Sequence, residues 1–180
     1  MHDAFPPRTP HVIVASNTSA LDALAAWCAS QSIDCFQIDR GVVGDASDAG
    51  RSLAHRLSRA SLSSPFAVAL GGETTVDTHG TDGIGGPTLE LTLSAALSLS
   101  QHEFDWSVIG FTTDGIDGPS GVAGCVLTSS MLIAPIKRQA IESAIRHHDT
   151  LSICDTLGAT IRTGPTGTNV NDIAIAIRWN

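Results

Sequence analysis

The amino-acid sequence predicts a layered α/β domain, with a mixed, mostly parallel sheet and helices on both faces. Short apolar runs alternate with amphipathic segments of helical length, which is the rhythm of right-handed βαβ units. Hydrophobic residues make up 42% of the 180 residues and charged residues only 16%, so the chain can bury a core and is not disordered overall. No repeat, low-complexity tract or linker divides the sequence. We therefore expect a single domain over residues 1–180.

The first third of the chain predicts two strand–helix pairs. Residues 1–10 are expected to form a flexible lead, and residues 11–65 a βαβα entry segment. The apolar run HVIVA (11–15) is of the buried-strand type, and Asn17 or Thr18 is expected to cap a helix that continues to about residue 31. The segment IDCFQI (33–38) predicts a second strand, and residues 45–60 predict a second helix with one apolar face.

The core of the domain is expected over residues 66–180. A strand over 66–70 leads into Gly71-Gly72, which predicts a tight turn into another strand over 73–78. Pro87 is well placed as the first residue of a helix that continues to about residue 101. An amphipathic helix over residues 135–148 lies between two further predicted strands, at 105–111 and at 172–178.

Composition limits the classes of partner. The formal net charge is −8 and Lys137 is the only lysine, so nucleic-acid binding is not expected. No segment offers the roughly 20 apolar residues of a membrane span, and the first ten residues do not resemble a signal peptide. The four cysteines lack CxxC spacing and are expected to be reduced, buried thiols. We expect a cytoplasmic protein without a membrane partner; homo-oligomerisation stays open.

Three polar loops at the ends of predicted strands form the candidate binding site: residues 71–75 (GGETT), 112–119 (TTDGIDGP) and 163–172 (TGPTGTNVND). In open α/β sheets, ligands bind beyond the carboxyl ends of strands. Glycine lets the backbone approach a ligand, threonine donates hydrogen bonds, and successive N–H groups can hold an anion. We therefore expect the loops to converge on a small anionic substrate; the alternative is that the glycines only make turns. The candidate substrate- or phosphate-binding residues are Gly71, Gly72, Thr74, Thr113, Gly115, Thr163, Gly164, Thr166, Gly167, Thr168 and Asn169.

The carboxylates of these loops are the candidate catalytic groups. Asp114 and Asp117 share one tight loop, a pattern suited to holding hydrated Mg²⁺ or orienting a hydroxyl group. Alternatively, both aspartates accept turn hydrogen bonds. Glu73 is a third catalytic candidate, and Asp172 could support the site from behind, although either carboxylate could equally be a solvated edge group.

Several common motifs are missing from the sequence. It contains no GxxxxGK[ST] phosphate loop, no GxGxxG dinucleotide fingerprint after a strand and no GxSxG nucleophile elbow. The adjacent His147 and His148 are expected to point to different sides of a helix and to act as cations at its C-terminus.

Four segments resemble the MOFRL domain: GGETTV (71–76), GGPTLEL (85–91), TTDGIDGP (112–119) and TGPTGTNVND (163–172). They occur in the family's order, and the lead segment IVASNTSALDAL (13–24) is similar to the stretch that enters the same half of family members. The resemblance covers nearly the whole chain. The MOFRL domain forms the C-terminal part of two-domain glycerate kinases, some of which carry the older label hydroxypyruvate reductase.

The resemblance implies an ATP- and Mg²⁺-dependent phosphorylation of D-glycerate to 2-phosphoglycerate. It adds Glu90 to the candidate binding residues. It also implies a partner, an N-terminal Rossmann-like domain or chain that carries the nucleotide-handling lysine and is absent from these 180 residues. Because phosphoryl transfer depends on positioning and charge neutralisation, this half is expected to be inactive without that partner.

The sequence departs from the family pattern at two places. Family members typically read GGRNQE where this chain has Pro87-Thr88-Leu89 between Gly85-Gly86 and Glu90, and the family's aspartate shortly after GPT is replaced by Gly121. Both changes remove polar groups from the expected cleft. Two alternatives therefore stay open: a non-catalytic binding or regulatory module of the same fold, and a hydroxypyruvate-reducing oxidoreductase.

Overall fold

A computed structural model of the protein describes residues 12–63, 65–132 and 135–180. Six strands form one sheet in the order β1-β2-β6-β3-β4-β5. The strands are β1 (Asp34–Asp45), β2 (Phe66–Thr75), β3 (Trp106–Thr112), β4 (Gly124–Thr128), β5 (Thr160–Ile161) and β6 (Asp172–Arg178). The helices are α1 (Asn17–Ser30), α2 (Ala46–Arg59), α3 (Pro87–Leu99), α4 (Pro135–Arg146) and α5 (Thr150–Thr156).

Helices cover both faces of the sheet, as predicted. Alternate residues of β2 point to opposite faces, with Phe66 and Val68 in one buried cluster and Ala67 and Ala69 in the other. Helices α2 to α5 pack on the first face. Helix α1 packs on the second face, against β2 and β6. The sheet is therefore the middle layer of a three-layer α/β domain.

The pairing of the strands corrects the prediction of a mostly parallel sheet. Only β1 and β2 pair in parallel, whereas β6 pairs antiparallel with both β2 and β3, and β4 pairs antiparallel with β3 and β5. The apolar run of β6 is buried on both faces, a pattern that predicts a central strand but not its direction. The final strand inserts between β2 and β3 and runs against both, which the order of elements along the chain does not reveal.

Two further strand predictions were wrong. Residues 12–15 form no strand, and Val12, Ile13 and Val14 are 78%, 86% and 93% exposed; His11 and the predicted lead 1–10 lie outside the described residues. Residues 66–75 form one continuous strand, so Gly71-Gly72 is not a turn. Strands β4 and β5 and helix α5 were not predicted.

The direction of the strands determines where the polar loops meet. Strands β1, β2, β3 and β5 end at the same edge of the sheet, and β4 and β6 begin there. The ends of β2 and β3, the start of β6 and the segment after β5 therefore share one edge. Among the described residues, no helix is both long and apolar enough to cross a membrane.

Candidate functional site

A cleft of about 220 Å³ opens at this edge of the sheet. It is lined by the end of β2, the loop after β3, the start of α3 and the segment that leads into β6. The lining residues are Glu73, Thr74, Pro87, Thr112, Asp114, Ile116, Asp117, Gly118, Asn169, Asn171 and Asp172. The three loops therefore converge as expected, and the predicted residues Glu73, Thr74, Asp114, Asp117 and Asn169 line one cavity.

Asp172 lines the cleft between the ends of β2 and β3. It is the first residue of β6 and pairs with Gly72 of β2 on one side and with Thr112 of β3 on the other. Burial, together with the smaller effect of the nearby charges of Asp117, Glu73 and Asp114, raises the pKa of its carboxyl group from 3.8 to about 6, although a hydrogen bond with Thr112 acts in the opposite direction. Asp172 therefore exchanges a proton close to neutral pH.

Asp114 is held by its own loop but keeps one oxygen toward the cleft. Its Oδ1 accepts hydrogen bonds from the Thr112 hydroxyl and from the Ile116 amide, each at 3.0 Å. Its Oδ2 lies 3.5 Å from the side-chain nitrogen Nδ2 of Asn169, which is long for a hydrogen bond. Both interpretations drawn from the sequence apply to this residue: one oxygen stabilises the turn, and the other is available to a ligand.

Asp117 caps helix α3. Its Oδ1 accepts from the Thr88 amide at 3.0 Å and its Oδ2 from the Leu89 amide at 2.8 Å. Burial raises the pKa of the Asp117 carboxyl group, and the two amide donors act in the opposite direction. Because both oxygens are used, the carboxylate already fills the anion position that a helix N-terminus offers. This geometry favours the structural interpretation of Asp117 over catalysis or Mg²⁺ binding.

Hydrogen bonds fasten the 163–172 segment to the loop after β3. The Thr113 hydroxyl donates to the Asn171 carbonyl at 2.9 Å and accepts from the Val170 amide at 2.8 Å. The Thr166 hydroxyl donates to the Thr113 carbonyl at 2.6 Å. Gly115 has a φ of +91°, and a side chain there would overlap the Gly164 carbonyl. These residues shape the site, and Thr113, Gly115 and Thr166 do not line the cleft.

A shallow groove adjoins the cleft along the 163–172 segment. Gly167, Thr168 and Asn169 line it together with Asp114 and Ile116. Thr163 and Gly164 lie at the start of the same segment and are exposed, with the Thr163 hydroxyl donating to the Gly164 carbonyl.

Gly71 and Gly72 lie inside β2 and do not line the cleft, contrary to the predicted binding role. A side chain on Gly72 would overlap the backbone of Val42 in the neighbouring strand β1. A side chain on Gly71 would overlap the side chain of Asn17. Both glycines are therefore required by close packing.

Glu90 is also outside the cleft and is only 3% exposed. Its Oε1 accepts from the Ser47 hydroxyl at 2.9 Å, and its Oε2 lies 2.7 Å from Nδ1 of His148. The carboxylate connects α2, α3 and the turn after α4. The predicted binding role of Glu90 is thus replaced by a buried polar network. The same contact shows that His148 is more than a cation at a helix end.

The charge of the cleft is acidic. Glu73, Asp114, Asp117 and Asp172 line it, and none of its described lining residues is Lys, Arg or His. Within the described residues, no three His, Cys, Asp or Glu side chains cluster tightly enough to hold a metal ion by themselves. A free anion would be repelled here, whereas a hydrated cation would be attracted.

Sequence reasoning undervalued three residues of this site. The sequence predicts no more than a supporting role for Asp172 and a helix-capping role for Asn17. It contains no signal that distinguishes Asn171. The cap is Ser16. The motif TGPTGTNVND contains both Asn171 and Asp172, but nothing in it indicates that β6 begins between β2 and β3.

The fold and the cleft together define a three-layer α/β domain with an acidic cleft at the shared edge of its strands. The chain belongs to the MOFRL family, whose pattern it matches over residues 66–172. It is 32% identical to a glycerate 2-kinase of Pyrococcus horikoshii over 95% of its length, and 36% identical to a D-glycerate 2-kinase of Thermotoga maritima over 74%. A relative from Agrobacterium vitis with the provisional name hydroxypyruvate reductase is 34% identical over 89% of the chain.

Solved structures show the same fold. A protein from Pyrococcus horikoshii OT3 superposes on 96% of the chain with a TM-score of 0.82 and 31% identity. A glycerate kinase from Thermotoga maritima superposes on 91% with a TM-score of 0.81 and 30% identity. The chain spans about 40% of each of these two structures and 40%, 33% and 38% of the three sequence relatives.

Proposed function

We propose that the chain is the C-terminal part of a glycerate-2-kinase-like phosphotransferase, which transfers a phosphoryl group from ATP to D-glycerate. The acidic cleft carries this proposal, because it lies where the strand ends meet and its carboxylates suit a site that handles phosphate with a cation. Glycerate is proposed as the substrate because two relatives are a glycerate 2-kinase and a D-glycerate 2-kinase. The reducing compartment suggested by four free cysteines fits a cytoplasmic location.

The residues of the cleft fit Mg²⁺. The ion is usually bound by one or two carboxylates and several waters, so a cluster of three protein ligands is not needed. Asp114 has an oxygen available, and among the described residues Glu73 accepts a single side-chain hydrogen bond, from Asn171 at 3.3 Å. The buried hydroxyl of Thr74 lines the cleft without a hydrogen-bond partner among the described residues. When bound, Mg²⁺ would neutralise phosphate charge during transfer.

Asp172 is the proposed proton acceptor. It lies between the ends of β2 and β3, and its pKa of about 6 is near neutral pH, which favours a general base. In this proposal, the Asp172 carboxylate takes the proton of the attacking glycerate hydroxyl. Asp117 contributes by fixing the start of α3.

The other part of the enzyme supplies what this cleft lacks. Phosphoryl transfer needs cationic groups around the phosphates, and the described lining contains none. We infer that an N-terminal glycerate-kinase-like domain or chain covers the cleft and brings these groups.

A second candidate is a cation-dependent binding or regulatory module. It is favoured by Pro87, which lines the cleft where family members carry arginine. Thr88 and Leu89 are buried, so the change at residue 87 alone alters the cleft wall. A hydroxypyruvate reductase is less favoured, because the sequence lacks a dinucleotide fingerprint.

The proposal is tested by fusing the N-terminal part of the Pyrococcus horikoshii glycerate 2-kinase to this chain. We expect ATP-dependent formation of phosphoglycerate by the fusion, and none by the isolated chain or by the isolated N-terminal part. Activity of the isolated chain would contradict the need for a second half. A folded fusion that leaves glycerate unphosphorylated would favour the binding module, and oxidation of NADH by hydroxypyruvate in the same sample would favour the reductase.

A further inference from the structure

We propose that Asn17 is a positioning residue, whose side-chain amide holds the corner of the cleft formed by Val170, Asn171 and Asp172. Its Nδ2 donates to the Val170 carbonyl at 2.8 Å and to the Asp172 carbonyl at 3.0 Å. These carbonyls flank Asn171 on both sides. The inference rests on the proposed function only in taking this cleft as the reaction site.

The corner needs to be held because its backbone is strained. Asn171 has a φ of +66°, in the left-handed region, which is unfavourable for a residue with a side chain. In this conformation its side chain donates to Oε2 of Glu73 at 3.3 Å, and its carbonyl accepts from the Thr113 hydroxyl. Asn171 thereby connects Glu73, near the end of β2, with Thr113, which follows β3. Relaxation of Asn171 would disconnect them and shift the start of β6, where Asp172 lies.

The surroundings of Asn17 are shaped for this contact. Its Oδ1 is buried without a hydrogen-bond partner among the described residues, which costs free energy. Gly71 leaves room for that oxygen, because a side chain there would overlap it. An apolar residue would avoid the unpaired oxygen, so the useful feature of Asn17 is its pair of N–H donors.

Helix α1 fixes the backbone position of Asn17. Asn17 is the first residue of the helix, directly after the capping residue Ser16. The Ser16 side chain accepts from the Ser19 amide at 3.2 Å, and the Ser19 side chain accepts from the Ser16 amide at 2.8 Å. This capping box holds the first turn of α1 independently of the cleft. The amide of Asn17 therefore connects a stable helix end to a strained corner 153 residues further along the chain.

Two substitutions at Asn17 and one neighbouring control separate positioning from general stability. Asn17→Ala removes the donors, and Asn17→Asp keeps the shape but directs oxygens at both carbonyls. A carboxylate held against two carbonyls is destabilising, whereas alanine also removes the unpartnered oxygen, so Asn17→Ala should fold even if Asn17→Asp does not. Thr18→Ala is the control, because Thr18 is exposed in the same turn and no hydrogen bond of its side chain is among those described.

The readouts are the NMR Cα and Cβ shifts of Asn171 and the affinity of the chain for Mn²⁺ as a probe of the cleft. We expect both Asn17 variants to lose the left-handed shifts of Asn171 and to bind Mn²⁺ about tenfold more weakly, as for other supporting residues of metal sites. Thr18→Ala should change neither. Left-handed shifts retained in both Asn17 variants would overturn the inference. A wild-type chain that binds no Mn²⁺ would count against the proposed function, while the Asn171 shifts would still decide the role of Asn17.

Discussion

At the scale of single residues, the cleft contains some groups that stabilise the fold and others that destabilise it. Asp117 satisfies two amides at the start of α3, so its burial is compensated. Asp172 is surrounded by other carboxylates, and both its burial and their charges disfavour its ionised form. Such a destabilised charge is expected at a functional site, where stability and activity conflict.

Asp172→Asn is predicted to stabilise the protein near neutral pH. The folded pKa of about 6 exceeds the ordinary value of 3.8, so the folded state binds more protons than the unfolded state between these values. The free energy of unfolding therefore falls as the pH rises from about 4 to about 6, and the variant should escape this loss. We expect the variant to be more stable at pH 7 by on the order of 2 kcal/mol, with the difference vanishing near pH 4.

Urea unfolding at a series of pH values measures this difference. The control is Glu103→Gln, an exposed carboxylate-to-amide change just before β3, at the opposite edge of the sheet. Its stability should follow the wild type at every pH. Parallel pH profiles of Asp172→Asn and the wild type would show that Asp172 titrates normally.

At the scale of helices and strands, close packing explains positions that propensity alone would misjudge. Gly50 lies in the middle of α2, where alanine would be the better helix former by about 1 kcal/mol. A side chain at Gly50 would, however, overlap the Leu91 carbonyl and crowd Ser94 in α3. The contact between α2 and α3 therefore depends on the missing side chain.

Gly50→Ala is predicted to lower the free energy of unfolding by about 2 kcal/mol, because overpacking outweighs the gain in helix propensity. Ser52→Ala, at an exposed position of the same helix, should change the stability by less than about 0.5 kcal/mol. Chemical denaturation of the two variants checks both values. A more stable Gly50→Ala variant would mean that α2 and α3 can move apart at little cost.

Local patterns predicted most elements, and tertiary contacts decided the rest. The predicted bounds of β6 are those observed, and α2 and α3 begin within one residue of their predicted starts. The pair Gly71-Gly72 indicated a turn, but contacts with Val42 and Asn17, distant in sequence, require glycine inside a strand. Residues 12–15 have strand composition without a neighbouring strand in the described part of the chain.

The sequence predicts which segments form the site better than it predicts what each residue does there. Composition indicated correctly that residues 71–75, the loop after β3 and the 163–172 segment meet, although residues 71–75 are the end of β2 and not a loop. Composition could not reveal that Asp117 caps α3, that Glu90 pairs with His148, or that Asp172 lies between two strand ends. Each of these facts depends on the order of strands in the sheet or on helix packing.

At the scale of the whole molecule, we propose that the chain presents one wall of a site. The cleft has four carboxylates and no cation among its described lining residues. The chain spans about 40% of the length of the Pyrococcus horikoshii glycerate 2-kinase. The exposed apolar residues Val12, Ile13 and Val14 add a surface that water solvates poorly. In the proposed enzyme, this acidic wall takes part in phosphoryl transfer once a second half covers it.

The most direct test measures turnover by this chain fused to the Pyrococcus N-terminal part. The fusion carries either Asp114→Asn or Asp172→Asn, and Glu103→Gln is the matched control. The account predicts that kcat falls about 100-fold or more for each cleft variant, because a cation ligand or a proton acceptor is lost. The control should keep the turnover of the unmodified fusion. Cleft variants that turn over as fast as the control would contradict the account and place the chemistry outside this cleft.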